Sequence, residues 1–210
     1  MVAESGLRRD GVSRIMNQID QVVYINLDER VDRNTQVQQE LRCFPPEKVR
    51  RFAAIRNDRG LVGCVQSHIA VLELAKREGW RNVLIVEDDM VWTAFNETLL
   101  GELLMRSYDV VLLSGTYVRC GADMRLQSAQ TTAAYIVAAH YYDTLLENYR
   151  RGLYRLVLGG ADRHFALDQY WKLLQKKDTW FIAQPVMCIQ RPGYSDIEKR
   201  VVNYTKAYAK

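Results

Sequence analysis

Most of the signatures that announce a chemistry outright are missing from this chain. Neither G-x-G-x-x-G nor G-x-x-x-x-G-K-[ST] occurs, which removes the common dinucleotide fingerprint and the P-loop. Any phosphate must then be held by side chains and a metal. No run approaches the roughly 20 apolar residues that span a bilayer, and the first residues lack the apolar core of a secretion signal, so the sequence reads as a soluble chain. The four cysteines, Cys43, Cys64, Cys120 and Cys188, lie far apart, with no C-x-x-C pair and no nearby histidine at zinc-ligand spacing. Free thiols in a reducing, cytoplasmic setting are the simplest account of them. Charge is nearly balanced: 29 Lys and Arg against 25 Asp and Glu leave +4, too mild a surplus to make nucleic acid the main partner. An anionic small substrate, or peripheral contact with a membrane surface, stays open. Repeats and low-complexity segments are absent as well.

The richest stretch runs from Asn82 to Trp92. Val83, Leu84, Ile85 and Val86 form an unbroken apolar run, as expected of a strand buried on both faces. Glu87, Asp88 and Asp89 follow at once. If the extended backbone persists, Glu87 and Asp89 share one side, roughly 7 Å apart, and Asp88 points away. In an open α/β sheet ligands bind beyond the carboxyl ends of the strands, which is where these acids would sit. Hard oxygen donors suit Mg²⁺ or Mn²⁺ rather than zinc. A single carboxylate there would merely cap a helix, but three in succession are costly to assemble unless something neutralises them.

Around this stretch, strands alternate with helices. Gln21–Leu27 reads as a first strand, followed by a helix carrying Val37 and Leu41, capped by Asp28 or Asp32 and ended by Pro45 and Pro46. A helix is expected from about Gly63, with Val65, Ile69 and Leu72 at helical spacing and Gly79 as its stop. His68 shares that apolar face, either as a core histidine or as a group touching a ligand. Tyr108–Ser114 reads as another buried strand, 116–130 as a loop or hairpin over the site, and Ala133–Ala139 as a strand or helix start. His140–Arg151 is expected to be a helix stopped by Gly152, and Trp180–Ile189 a strand placed at an edge by Pro185. The pattern predicts a three-layer α/β/α sandwich with a mainly parallel central sheet. It divides into an arm over 1–20 with Arg8, Arg9 and Arg14, a domain over 21–197, and a basic tail or linker over 198–210 that docks on the body or leads onward.

Several segments in order resemble glycosyltransferase family 25, the group of lipooligosaccharide galactosyltransferases and collagen galactosyltransferase domains. They are Tyr24-Ile25-Asn26-Leu27 with Asp32-Arg33, Gly63-Cys64 with Ser67-His68, Glu87-Asp88-Asp89, Ala133-Ala134-Tyr135, Asp168-Gln169-Tyr170, and Gln190 with Ser195-Asp196-Ile197. The resemblance implies the A-type glycosyltransferase fold, Rossmann-like and nucleotide-binding, with a D-x-D-like motif and a divalent metal, usually Mn²⁺. It implies a UDP-sugar donor, inversion at the anomeric carbon, and an oligosaccharide, glycoprotein or glycolipid acceptor. In the motif, Glu87 and Asp89 take the two acidic positions, with Asp196 as a further metal contact. The chain is short for the family and ends without an endoplasmic-reticulum retention signal, which argues against its secretory-pathway members.

Each candidate carries a plainer alternative. Inversion needs a base for the acceptor hydroxyl; Asp168 is the first choice and Asp162 the second, and either can instead cap a helix. Asn26, Leu27 and Arg33, at the end of the first strand and start of the next helix, are placed to meet uracil, ribose or phosphate. Alternatively, Asn26 and Asp28 close that turn and Arg33 pairs with an acid. Ser67 and His68 join the donor set by resemblance, and Asp88 is grouped with them. Two competing readings remain: a Mg²⁺-dependent phosphoryl-transfer domain with Asp28 as nucleophile, for which no convincing lysine is found, and a non-catalytic scaffold that binds nucleotide sugars.

Overall fold

The computed structural model describes residues 18–208. The expected arm falls almost wholly outside them, and Ile19, within its described part, is buried against the sheet. In chain order the elements are β1 (Gln21–Asn26), α1 (Val31–Glu40), β2 (Val49–Ala53), α2 (Gly60–Glu78), β3 (Asn82–Glu87) and β4 (Met90–Trp92). Next come α3 (Glu97–Leu104), β5 (Val110–Leu112), β6 (Thr116–Cys120), β7 (Leu126–Gln130), β8 (Ala134–Ala138) and α4 (Tyr142–Val157). Three single turns, α5 (Asp162–Phe165), α6 (Leu167–Tyr170) and α7 (Lys172–Gln175), precede β9 (Trp180–Ile182), β10 (Cys188–Gln190), β11 (Gly193–Ser195) and β12 (Arg200–Val202).

Six strands form the central sheet in the order β2-β1-β3-β8-β5-β9, all parallel except β8, which runs against both of its neighbours. Side chains alternate between its faces. Val23, Ile25, Val83, Ile85, Tyr135 and Val137 pack beneath α2 and α4, while Val22, Tyr24, Leu84, Val86 and Ile136 pack beneath α1 and α3. Helices therefore cover both faces. That is why the strands read as unbroken apolar runs: each position is buried, at about 1.5–3 kcal/mol per large side chain. The three-layer α/β/α sandwich with a mainly parallel sheet is the architecture expected from the sequence.

Some local expectations are corrected. The helix of 142–157 runs through Gly152 and ends instead near Gly159, which has the positive φ of +88°. A Cβ at Gly152 would come within 3.2 Å of the Tyr170 ring, so this glycine permits close packing and does not stop the helix. Trp180–Ile189 breaks into β9 in the central sheet and β10, which pairs with β4. Asp28 and Asp32 do not cap α1, whose N-cap Arg30 makes no side-chain capping bond. The 116–130 stretch is a hairpin of β6 and β7. In the tail, β12 pairs with β11 and the Tyr208 hydroxyl accepts from the Gln190 N–H at 3.0 Å, so the described part docks on the body.

The chain leaves β1 through α1 to reach β2 on one side, then returns through α2 to reach β3 on the other. Because α1 and α2 cover opposite faces, a crevice opens between the carboxyl ends of β1 and β3, the switch point at which α/β sheets take ligands.

Candidate active site

A cleft of about 360 Å³ occupies that crevice. Its floor is the end of β3, its walls are Leu27, the loop 54–58 and the first turns of α2, and its rim is the β11–β12 hairpin. Gly63 allows the loop and α2 to approach, since a Cβ there would lie 2.4 Å from the Ile55 carbonyl oxygen. Ser67 clamps the same contact, accepting from the Ile55 N–H at 2.8 Å and donating to the Gly63 carbonyl at 2.7 Å.

The strand does not persist through the acids. It ends at Glu87, and Asp88 and Asp89 form a tight turn into β4. Glu87 keeps the face of α2: its Oε1 accepts from the Thr132 hydroxyl at 2.5 Å and lies 3.4 Å from His68 Nε2, while Oε2 accepts from the Gln190 amide at 3.2 Å. Asp88 takes the face of α1, accepting from Asn26 Nδ2 at 2.8 Å and Arg33 at 2.9 Å. Asp89 lies 3.5 Å from the same guanidinium, and its Oδ1 is buried with no hydrogen-bond partner. Thus Asp88 and Asp89 share Arg33, in place of the expected pairing of Glu87 with Asp89 on one side of a continuing strand.

Electrostatics follow from this crowding. Burial, then the charge of Glu87, pushes Asp89 up to about 7, against the pull of Arg33. Burial also raises Asp88. Burial acts on Glu87 in the same direction, but hydrogen bonds from His68 and Thr132 and the charge of Arg33 prevail and hold it below the ordinary carboxylate range.

The remaining predicted residues divide into those on the cleft and those off it. Leu27, Arg33, Ser67, His68, Glu87, Asp88, Asp89 and Asp196 line it. Asn26 does not: it is buried, and its amide donates to Asp88 and the Arg30 carbonyl and accepts from Arg51. Its place is to tie the ends of β1, β2 and β3 together. Asp196, on the hairpin, is ion-paired with Arg30. Asp168 sits just behind the cleft wall; its Oδ2 accepts from the Thr131 N–H at 3.0 Å, and the Thr131 hydroxyl donates to Gln190 at 3.1 Å. Burial raises its carboxyl above the ordinary range, the Thr131 N–H and Lys172 opposing. Thr131 holds φ at +77°, a strained value for a β-branched residue and one that aims its N–H at Asp168. Asp162 stands apart, exposed and paired with Arg59. Asp28 is also exposed and paired with Arg51 at 2.6 Å.

Four participants were not among the predicted site residues. Gln190 joins Glu87 to Thr131, Thr132 holds Glu87, Arg30 secures the hairpin through Asp196, and Cys64 lines the cleft wall. For Cys64 a signal was available in the Cys64–His68 spacing of one helical turn, which a reading by zinc-finger spacing passes over.

The donor set fits a hard divalent cation. Asp89 offers an unpartnered oxygen, and it shares one guanidinium with Asp88 while Glu87, next in the cleft, is held by neutral partners. They do not form a closed cage, nor is one required: Mg²⁺-type ions are held by one or two carboxylates together with substrate phosphates.

No protein-family model matches the chain, and no curated protein matches it. Among solved structures, a mannose-1-phosphate geranyltransferase from Thermus thermophilus aligns over 79% of this chain and 73% of its own, at 12% identity and a TM-score of 0.43. A likeness of that degree carries no argument about activity. The fold assignment rests on the strand order and layers, and the family 25 resemblance on its sequence segments alone. Among the described residues, no helix is long and apolar enough to cross a membrane.

Proposed function

We propose that the chain is a metal-dependent, inverting glycosyltransferase that moves a sugar from a UDP-sugar to a hydroxyl of a glycan acceptor. The observation that carries this reading is the buried, unpartnered oxygen of Asp89 among three carboxylates at the switch point of a doubly wound sheet. Two further features agree. Leu27, Ala54 and Ile55 give one wall of the cleft an apolar surface suited to a planar base. The uncapped first turns of α2 line the cleft beside that wall, presenting the positive end of a 19-residue helix to an anionic ligand.

In this reading Asp89 and Glu87 would hold Mn²⁺ or Mg²⁺, with Asp196 available once it leaves Arg30. The bound ion would supply Lewis-acid stabilisation of the departing diphosphate. Arg33 pairs with Asp88, opposing the burial that raises its carboxyl, and anchors the hairpin through the Tyr194 carbonyl at 2.6 Å. Asp168, raised by burial and held by Thr131, takes the proton of the acceptor hydroxyl. Asp162 is too far out on the surface to share that role, and the exposed, paired Asp28 is poorly placed as a phosphoryl nucleophile.

Calorimetric titration of UDP, GDP and UDP-sugars, with Mn²⁺ and then with chelator, tests the reading. UDP binding that needs Mn²⁺ and disappears in Asp89→Ala, followed by slow release of UDP from one sugar donor, is the expected result. Absence of nucleotide binding with either metal overturns it.

A further inference from the structure

Cys64 and His68 stand one turn apart on α2, and Glu87 lies across from them at the end of β3. The Cys64 Sγ, a His68 ring nitrogen and a Glu87 oxygen all lie within 4.8 Å of one another, and among the described residues no other three histidine, cysteine or carboxylate donors come so close. We propose that these three side chains form a second cation site where the α2 wall meets the cleft floor, one that takes a borderline-soft divalent ion of the Zn²⁺ type.

Donor chemistry separates this site from the carboxylates beside it. Thiolate, imidazole and carboxylate together select zinc over magnesium or manganese, and three protein donors with one open position are the usual set of an accessible zinc site. In a tetrahedral site two such donors lie roughly 3.6 Å apart, so the observed separation needs only a small closure of side chains. His68 is already oriented for it. Nδ1 is 2.8 Å from the Tyr135 hydroxyl, which in turn accepts from Tyr149 at 3.2 Å, and Nε2 faces Glu87. A ligand histidine whose other nitrogen is fixed by a buried partner is the arrangement found around bound metals. Cys64 and Glu87 both line the cleft, so the open position faces solvent and any bound substrate.

The site shares Glu87 with the hard-cation reading and nothing else, and it stands whether or not the chain transfers sugar. A cation there draws Glu87 away from Thr132 and Gln190, so zinc opposes Mn²⁺ in the neighbouring site.

Titrating the full chain with Co²⁺, a spectroscopic substitute for zinc, tests the proposal. The expected result is one equivalent with tetrahedral d–d absorption and a thiolate-to-cobalt charge-transfer band that is lost in Cys64→Ser. That substitution should weaken Zn²⁺ by no less than the about 10–100-fold that outer partners of metal ligands contribute, and Zn²⁺ should cease to displace Mn²⁺. A charge-transfer band that persists in Cys64→Ser, or Co²⁺ binding without one, overturns the site. Should the variant fail to fold, alkylation of Cys64 in the unmodified chain decides: Zn²⁺ must slow it, and an unchanged rate refutes the assignment. The cobalt spectrum and the alkylation rate depend on neither UDP nor Mn²⁺, so failure of the transferase reading leaves them intact.

Discussion

Asp89 lies 3.5 Å from Arg33, yet the carboxylate that guanidinium holds closer, at 2.9 Å, is Asp88. Asp89 is therefore left as the least neutralised acid of the group, with one oxygen unpartnered. A fold that buries such a group gives up stability to keep it, as functional sites commonly do.

That cost has a pH signature. The Asp89 carboxyl titrates at about 7 in the folded chain against an ordinary 3.8, so the folded state holds its proton more tightly than the unfolded state does. The contribution is fully present below about pH 4 and is lost as pH rises through 7, with about 4 kcal/mol as its upper bound. In chelator, thermal stability should thus fall between pH 5 and pH 8. Asp89→Asn should flatten that slope, raise the melting temperature at pH 8 by about 3–8 °C, and abolish stabilisation by Mn²⁺. A steeper slope in the variant would contradict the assignment.

Arg33 is the counterpart. Its side chain is only 14% exposed, and its removal leaves two buried carboxylates without their cation. Arg33→Met should lose about 3–5 kcal/mol in denaturant unfolding at pH 8. Adding Asp88→Asn to it should restore part of the loss, because the second change removes the charge the first had stranded. Additive losses in the double variant would show that the pair is not coupled.

How much of this was legible depends on what kind of information each feature carries. The strands β1, β3 and β5 were readable because burial on both faces writes a continuous apolar run into the sequence. Gly79 was readable as a stop because its φ of +70° is a local demand of the backbone. Gly152 was misread, since its reason is the Tyr170 ring, a tertiary contact with no local trace. The turn at Asp88–Asp89 escaped because its partner is β10, about a hundred residues further on, and nothing in Met90–Trp92 marks a strand of a separate small sheet. Gln190 reaches Glu87 across the same distance. The three acids are a local run in the sequence, and Asn26, Arg33 and His68 were named beside them; which acid each one holds is decided by the topology.

Gly63 offers a test of the cleft wall. A methyl group there meets the Ile55 carbonyl at 2.4 Å and the backbone of Asn57 at 3.2 Å, neither of which is a flexible side-chain end. Gly63→Ala should cost about 1–3 kcal/mol and displace the loop 54–58. Under the proposed function UDP affinity should fall with it, while Mn²⁺ affinity, set by β3, should change far less. Loss of both together would mean that the loop also supports the metal site.

Asp168 separates chemistry from binding. It does not line the cleft; it reaches the site through Thr131 and Gln190, which join it to Glu87. Asp168→Asn retains an acceptor oxygen for the Thr131 N–H and removes the basic group, so the strained turn should survive. If Asp168 takes the acceptor proton, the variant should bind Mn²⁺ and UDP as the unmodified chain does and transfer sugar about 10²–10⁴-fold more slowly. The raised carboxyl adds a second mark: in the unmodified chain, transfer should rise with pH through a value above the ordinary carboxylate range, and that limb should vanish in the variant. A variant that loses UDP binding instead would make Asp168 a positioning residue, acting through Thr131 and Gln190 on Glu87. Retention of both binding and rate would remove it from the site altogether and direct the search for the base to the carboxylates of the cleft.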